Sequence, residues 1–285
     1  MNIAITGASG MIGKRLRQRV VETGHMALPI SRAAGDSAMT EILASADAVV
    51  HLAGEPVSQR WTEAVKKRIH DSRVQGTRSL VNAMSALSRR PRVLVCASAV
   101  GYYGSRGDQI LTETSSPGTD FLARVVVDWE EAADLAEPLG IRVVHLRFGM
   151  VLGSSGALAK LLPLFRLGVG GRLSSGHQWM AWIHLEDAVN LALFALGLPS
   201  IHGAVNATAP HPVTNREFTD RMAATLHRPA VFPVPAFALK LALGEMSEMV
   251  LASQRVLPTV AKSSGFRFQY PELQAALDNL LPAPT

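Results

Sequence analysis

Asn2-Ile3-Ala4-Ile5-Thr6 runs directly into Gly7-Ala8-Ser9-Gly10-Met11-Ile12-Gly13, and Lys14 to Thr23 continues as a predicted helix. The short β-branched, apolar run reads as a buried strand, and the glycines follow at the spacing G-x-x-G-x-x-G. Each glycine meets a geometric need. Gly7 permits a tight turn off the strand, Gly10 lets backbone N–H groups approach a pyrophosphate, and Gly13 lets the helix pack on the sheet. The helix N-terminus adds free donors and a positive dipole end. A strand, this loop and a helix in succession predict a dinucleotide-binding βα unit; a glycine-rich turn without a ligand is the alternative.

A second position bears on which dinucleotide. About 20 residues on, an NAD enzyme of this type places an Asp or Glu against the ribose 2′-hydroxyl. Here Met26-Ala27-Leu28-Pro29-Ile30 ends in Ser31-Arg32, with no carboxylate. A hydroxyl and a guanidinium suit a 2′-phosphate, because Arg makes charge-assisted, often bidentate bonds to phosphate. The expectation is NADP(H), unless Arg32 is an ordinary surface side chain.

The 285 residues are 48% hydrophobic and 18% charged, which suits one large α/β unit with a smaller appended lobe. A net charge of +5 admits nucleic acid as a partner, but Lys and Arg are scattered and the one dense cluster, Lys66-Lys67-Arg68, falls on a predicted helix. A basic cofactor cleft is the better home for that charge. The single Cys96 excludes an internal disulfide and suits a reducing compartment. With the glycine turn reached by residue 7, no signal peptide is expected. No apolar run approaches the roughly 20 residues of a membrane span. The expected location is the cytoplasm, with neither membrane nor nucleic acid as partner; the oligomeric state is left open.

Strand and helix patterns alternate beyond the first unit. Helices are predicted over 38–46, 60–71, 72–87 and 121–139, and strands over 47–52, 92–98 and 141–146. Repeated strand–helix–strand units imply a doubly wound parallel sheet of Rossmann type. After about residue 150 the pattern loosens through Gly168 to Gly176, then resumes with a strand at 204–208 and a helix at 215–226. Residues 1–230 read as the nucleotide-binding domain, with substrate-side elements from about 150. Residues 231–285, punctuated by Pro233, Pro235 and Pro258, read as a small carboxy-terminal lobe.

The carboxyl edge of such a sheet is where a ligand lies. Ala53 and Gly54 there are small enough for backbone to reach a cofactor, while His51 reads as packed within its strand. Ser98 ends the fourth strand and is followed closely by Tyr102 and Tyr103. A hydroxyl there can bind a substrate oxygen and a neighbouring phenol can exchange its proton; a serine that only caps a turn is the alternative. Arg147 ends the fifth strand and could clamp an anionic substrate group. Glu113 is a further candidate. Trp179 and Trp182 could wall a pocket, although core packing accounts for both equally well. Asp187 reads as the start of a helix and His184 as structural. No cluster has metal-ligand spacing.

These residues resemble the extended short-chain dehydrogenase/reductase family of the nucleotide-sugar epimerase type. Within it the chain is most similar to the "epimerase family protein" branch, which has a carboxy-terminal lobe of unknown function. The resemblance lies in Thr6 to Gly13, His51 to Glu55, Asp71-Ser72-Arg73, Ser98 to Gly104, Trp129-Glu130, Arg147 to Gly153, Gly176 to Asp187 and Asn206 to Pro210. It extends to Gly244-Glu245 and Gly265-Phe266, so it spans nearly the whole chain. It implies NADP binding by Thr6, Gly7, Ser9, Gly10, Met11, Ile12, Gly13, Ser31, Arg32, Leu52, Ala53, Gly54, Glu55 and Arg73.

One departure stands out. The wider family carries a Tyr-x-x-x-Lys pair on the helix after the fourth strand, where Lys lowers the phenol pKa and holds the nicotinamide ribose. Phe121 and Val125 fall at those places. Ser98 with Tyr103 is the substitute favoured by position, with Tyr102, Glu113, Arg147 and Trp179 toward substrate. The expected function is NADP(H)-dependent oxidoreduction or epimerisation of a small carbonyl or sugar-like compound. The alternative is an NADP(H)-binding sensor without turnover.

Overall fold

A computed structural model describes residues 1–31, 33 and 35–281. Six strands form the central sheet: β1 (Asn2–Thr6), β2 (Met26–Ile30), β3 (Ala48–His51), β4 (Val93–Ala99), β5 (Arg142–Phe148) and β6 (Gly203–Ala207). Their spatial order is β6-β5-β4-β3-β1-β2, and every pairing is parallel. The chain steps outward from β1 to β2, then crosses back to place β3 on the other side of β1. That reversal opens a crevice at the carboxyl ends of β1 and β3.

Helices cover both faces. They are α1 (Met11–Glu22), α2 (Asp36–Ala44), α3 (Glu63–Ser85), α4 (Phe121–Asp134) and α6 (Leu185–Gly197); α5 (Ala157–Arg166) instead packs Leu158 and Phe165 into a second cluster with Leu152, Trp182, Phe218 and Leu273. β3 and the middle of β4 are buried on both faces, which is why they are continuous apolar runs without alternation. Toward the carboxyl terminus come α7 (Asn215–Leu226), α8 (Ala236–Leu243), α9 (Ser247–Leu251), α10 (Thr259–Ser263) and α11 (Leu273–Leu280). No helix among the described residues is long and apolar enough to cross a membrane.

At three places the structure shows why a helix boundary differs from the sequence reading. The two helices predicted over 60–87 are one helix, α3. Nothing at Asp71-Ser72 breaks it, because the Ser72 hydroxyl bonds back to the Ile69 carbonyl within the helix and Gly76 faces open space. α4 stops at Asp134, and a short 3-10 turn at Glu137–Leu139 carries Pro138, which has no N–H to extend the helix. α6 is capped by His184, whose side chain accepts from Glu186 N. Asp187 instead turns its carboxylate to the backbone N–H groups of Gln269 and Tyr270 at 2.7 and 2.9 Å, tying the chain ahead of α11 to α6.

Candidate functional site

The crevice is built by close backbone approach. Gly7 takes φ +66°, and a Cβ there would stand 2.6 Å from the Leu52 carbonyl carbon, so only glycine lets the loop after β1 meet the loop after β3. A Cβ on Gly13 would lie 2.2 Å from Gly7 O, whereas one on Gly10 would meet Gly7 O at a tolerable 3.4 Å. Gly13 is therefore required by the fold, and Gly10 leaves open space on its outer side. Gly10 is the N-cap of α1; no side chain caps the helix and its first turn carries no acid. Its leading N–H groups are the donors a phosphate would take, and this cradle fits a dinucleotide pyrophosphate.

A buried polar relay braces the crevice floor. Trp129 Nε1 donates to Thr77 Oγ1 at 3.0 Å, and Thr77 lies 3.0 Å from His51 Nε2. His51 Nδ1 is 2.6 Å from Thr6 Oγ1, which also accepts from the N–H groups of Leu52 and Ala53. Burial pushes the His51 pKa down to about 4, so the ring is held neutral. The unfolded chain takes up a proton near pH 6.5 while the folded chain does not. Stability is therefore expected to fall by about 3 kcal/mol as pH drops from 6.5 to 4, with no contribution from this group above that window. Urea unfolding at a series of pH values measures the slope, and His51→Asn is expected to flatten it; an unchanged slope would place the titration elsewhere.

Arg73, on α3, lies against this floor. Its Nη1 donates to the carbonyls of Glu55 at 3.0 Å and Ile69 at 3.1 Å, and its guanidinium stands 5.1 Å from the Trp129 ring centre. Burial lowers its pKa to about 10, partly offset by the charge of Glu55. A Cβ on Gly54 would lie 3.3 Å from its Cζ, so the small residue at position 54 makes room for the guanidinium.

The end of β4 meets a second buried network. Ser98 Oγ donates to Glu130 on α4 at 2.5 Å, and Arg147 on β5 grips the same carboxylate through Nε and Nη2 at 2.8 and 2.7 Å. Arg147 Nη1 reaches the Tyr103 hydroxyl at 3.1 Å, and that hydroxyl donates to Asn206 Oδ1 at 2.6 Å. Burial works against the Arg147 charge, but the hydrogen bonds and charge of Glu130 outweigh it and the pKa is raised. Burial also raises the Tyr103 pKa, against the pull of Arg147 and Asn206. Ser98, Tyr103 and Arg147 are thus brought together as the sequence predicts, yet they are committed to one another. Arg147 is spent on Glu130, not free to clamp an anion. Tyr102 is only half-buried, its ring centre 3.4 Å from the Arg147 guanidinium carbon.

The remaining candidates lie around this wall. Glu113 Oε1 accepts from Asn206 N and Val260 N at 3.1 and 3.0 Å, joining β6 to α10; its Oε2 is buried without a partner among the described residues. Trp179 donates to Asp108 at 2.8 Å and stacks under Arg255, latching the carboxy-terminal lobe to the 105–111 loop. Phe121, at the first turn of α4, meets the Trp61 ring edge-on at 5.4 Å, and Val125 packs with Trp61, Val65, Ile69 and Met246. The Ser31 hydroxyl accepts from Ala33 N at 3.2 Å; Arg32 lies outside the described residues. No cluster among the described residues could hold a metal ion.

Glu130 and Asn206 received no role from sequence. The signal for Glu130 was present: it stands between Val126 and Ala133 on the buried face of α4, where an unaccompanied carboxylate demands a cation.

Residues 3–206 match the NAD dependent epimerase/dehydratase family, and residues 234–280 match DUF1731, a domain of unknown function. The chain is 41% identical to the Arabidopsis thaliana "Epimerase family protein SDR39U1 homolog, chloroplastic", across 97% of this chain and 86% of that one. It is 37% identical to the epimerase family protein YfhF of Bacillus subtilis, across 99% and 98%. The crystal structure of human epimerase family protein SDR39U1 with NADPH has a TM-score of 0.90 and 34% identity, covering 99% of both chains. UDP-glucose 4-epimerase from Thermus thermophilus shares the fold, with a TM-score of 0.78 at 18% identity. By sequence across most of its length and by its six-stranded parallel sheet, the chain belongs to the NAD dependent epimerase/dehydratase family.

Proposed function

We propose that this chain binds NADP(H) in the crevice between β1 and β3 and uses it for oxidoreduction or epimerisation of a small carbonyl or sugar-like compound. The observation that carries this reading is the uncapped start of α1 behind Gly10, with Leu52 and Ala53 at backbone contact with Gly7. The human relative crystallised with NADPH supports the same cofactor. When bound, the nicotinamide supplies the hydride. Thr6 to Gly13, Leu52 to Glu55 and Arg73 hold the dinucleotide, and Ser31 with Arg32 takes the 2′-phosphate.

The reacting end faces the wall made by Ser98, Tyr102, Tyr103 and Arg147. Because the Ser98 and Tyr103 hydroxyls are buried and engaged, their part is to fix Arg147 and Glu130 behind the half-buried Tyr102 phenol. The absence of carboxylate at the end of β2 supports the phosphate-bearing cofactor, and the single buried Cys96 agrees with action in the cytoplasm. The apolar setting of Phe121 and Val125 favours the second reading, an NADP(H) sensor without turnover.

Calorimetry with both cofactors is the test. NADPH is expected to bind more tightly than NADH, and Arg32→Ala to erase most of the difference, roughly 10- to 150-fold for one charge-assisted pair. Equal affinities in the unaltered protein would remove the NADP(H) assignment. Consumption of bound NADPH on addition of carbonyl compounds separates the enzyme from the sensor.

A further inference from the structure

Residues 234–280 match a domain of unknown function, and one strap from that stretch, Ser253 to Val260, is bonded into the wall described above. The least regular part of that wall is the turn after β4. Val100–Tyr103 forms a single 3-10 turn that carries Tyr102 and Tyr103, and Gly104 leaves it at φ +65°. Hydrogen bonds in such a turn have poorer geometry than those of an α-helix, so its shape leans on partners from outside.

The strap supplies them. Gln254 Nε2 donates to Val100 O at 2.9 Å and to Gly104 O at 3.1 Å, so one side-chain amide spans the turn and spends both its protons on the two ends. The Gln254 N–H is itself anchored, donating to Trp179 O at 3.0 Å. Ser253 holds the residues that follow. Its N–H donates to Ser105 Oγ at 3.1 Å, its carbonyl accepts from Arg106 N at 2.9 Å, and its hydroxyl donates to Gly107 O at 2.7 Å. Arg255–Val256 then pairs in parallel with Ile110–Leu111, and Val256 is buried with Val100, Tyr103 and Leu111. Leu257 O accepts from Asn206 Nδ2 at 2.9 Å, and Asn206 Oδ1 is the acceptor of the Tyr103 hydroxyl. Tyr102 is therefore held on two sides, its ring against Arg147 and its backbone turn by Gln254.

We propose that the carboxy-terminal lobe is a positioning device for this wall, and that Gln254 is the positioning residue that fixes the turn presenting Tyr102. The inference rests on the reading that the wall faces the reacting end of NADP(H), and it gives the lobe a task in that same site. Two carbonyl oxygens face position 254, so the group there must donate twice from one point, which a terminal amide does. Among the described residues the hydrogen bonds of Gln254 go to Val100, Gly104 and Trp179, none to the glycine loop or to Leu52–Glu55. Loss of its side chain therefore loosens the turn and leaves the dinucleotide cradle intact.

The test is fluorine NMR of protein labelled with 3-fluorotyrosine. The chain has three tyrosines, and Tyr270 stands apart from the turn, stacked on His184, so Tyr102→Phe and Tyr270→Phe assign all three resonances. NADPH is expected to shift the Tyr102 resonance of the unaltered protein. Gln254→Ala is expected to move the Tyr102 and Tyr103 resonances and leave that of Tyr270 in place. Calorimetry is expected to find its NADPH affinity unchanged, while the NADPH-induced shift at Tyr102 is altered. Gln254→Asn keeps the amide on a shorter stem and is expected to give a smaller movement, and it carries the test where the alanine variant does not fold. Gln274→Ala removes bonds to Thr225 and Asp278 elsewhere in the lobe and is expected to leave the Tyr102 and Tyr103 resonances alone. Tyr102 and Tyr103 resonances unmoved by change at Gln254, or moved equally by Gln274→Ala, would overturn the proposal. NADPH that binds without shifting Tyr102 would overturn it too, because the held turn would not face the cofactor. Failure of NADPH to bind strikes the cofactor reading instead, and the resonances of the unloaded protein still decide whether Gln254 holds the turn.

Discussion

Glu130→Leu is expected to destabilise the fold by about 3–5 kcal/mol, read as a lower urea midpoint with an unchanged denaturant slope. The substitution leaves the Arg147 guanidinium buried, with the Tyr103 hydroxyl and the Glu113 carbonyl as its remaining hydrogen-bond partners. Arg147→Met alone is expected to cost a similar amount, because the carboxylate then keeps only the Ser98 hydroxyl. The combined variant is expected to recover most of the loss, since two apolar side chains of similar volume need no partner. Strict additivity in the double-mutant cycle would show that the two groups do not act as a pair. The order of effects matters for function. A wall behind Tyr102 that costs this much to disrupt is rigid, as the proposed function requires of the surface that faces the reacting end of a ligand.

The second large effect separates two glycines of one loop. Gly13→Ala is expected to cost about 3 kcal/mol or more, because its Cβ would stand 2.2 Å from Gly7 O and 2.8 Å from Ala8 Cα, with backbone on both sides. Gly10→Val is expected to leave the unfolding midpoint near its original value yet lower NADPH affinity by about 100-fold, since its side chain would occupy the outer face of the cradle. Thermal unfolding and calorimetry on the same two variants decide the matter. Undiminished NADPH binding in folded Gly10→Val would put the cofactor elsewhere, and a stable Gly13→Ala would mean that α1 can withdraw from the loop.

The strands, the glycine loop and the order of the βα units were legible in the amino-acid sequence because their causes are local. A buried parallel strand is a short apolar run, and the turn at Gly7 and the close contact of Gly13 with Gly7 O arise within seven residues of one another, whereas the approach of Gly7 to Leu52 comes only with the fold. Helix ends were less legible: Ser72 looked like a boundary, but its hydroxyl bonds to Ile69 O and the helix passes through. The Phe121 and Val125 substitutions were visible at once, as was the lack of an acid after β2. Their surroundings were not, because Trp61 and Met246 reach that cluster from α3's approach loop and from the carboxy-terminal lobe.

The amino-acid sequence by itself determined a parallel α/β sheet, the place of its ligand edge and the residue types gathered there. Only the tertiary structure decided what those residues do to one another. Ser98 and Arg147 are neighbours in the sheet register, but Glu130 joins them from a helix whose position depends on packing, and Asn206 accepts the Tyr103 hydroxyl's hydrogen bond across 103 residues. Whether a hydroxyl or guanidinium is free or engaged depends on burial and on partners brought in by the fold. Burying a charge without a partner costs so much that the chain spends Arg147 on Glu130 before any ligand arrives.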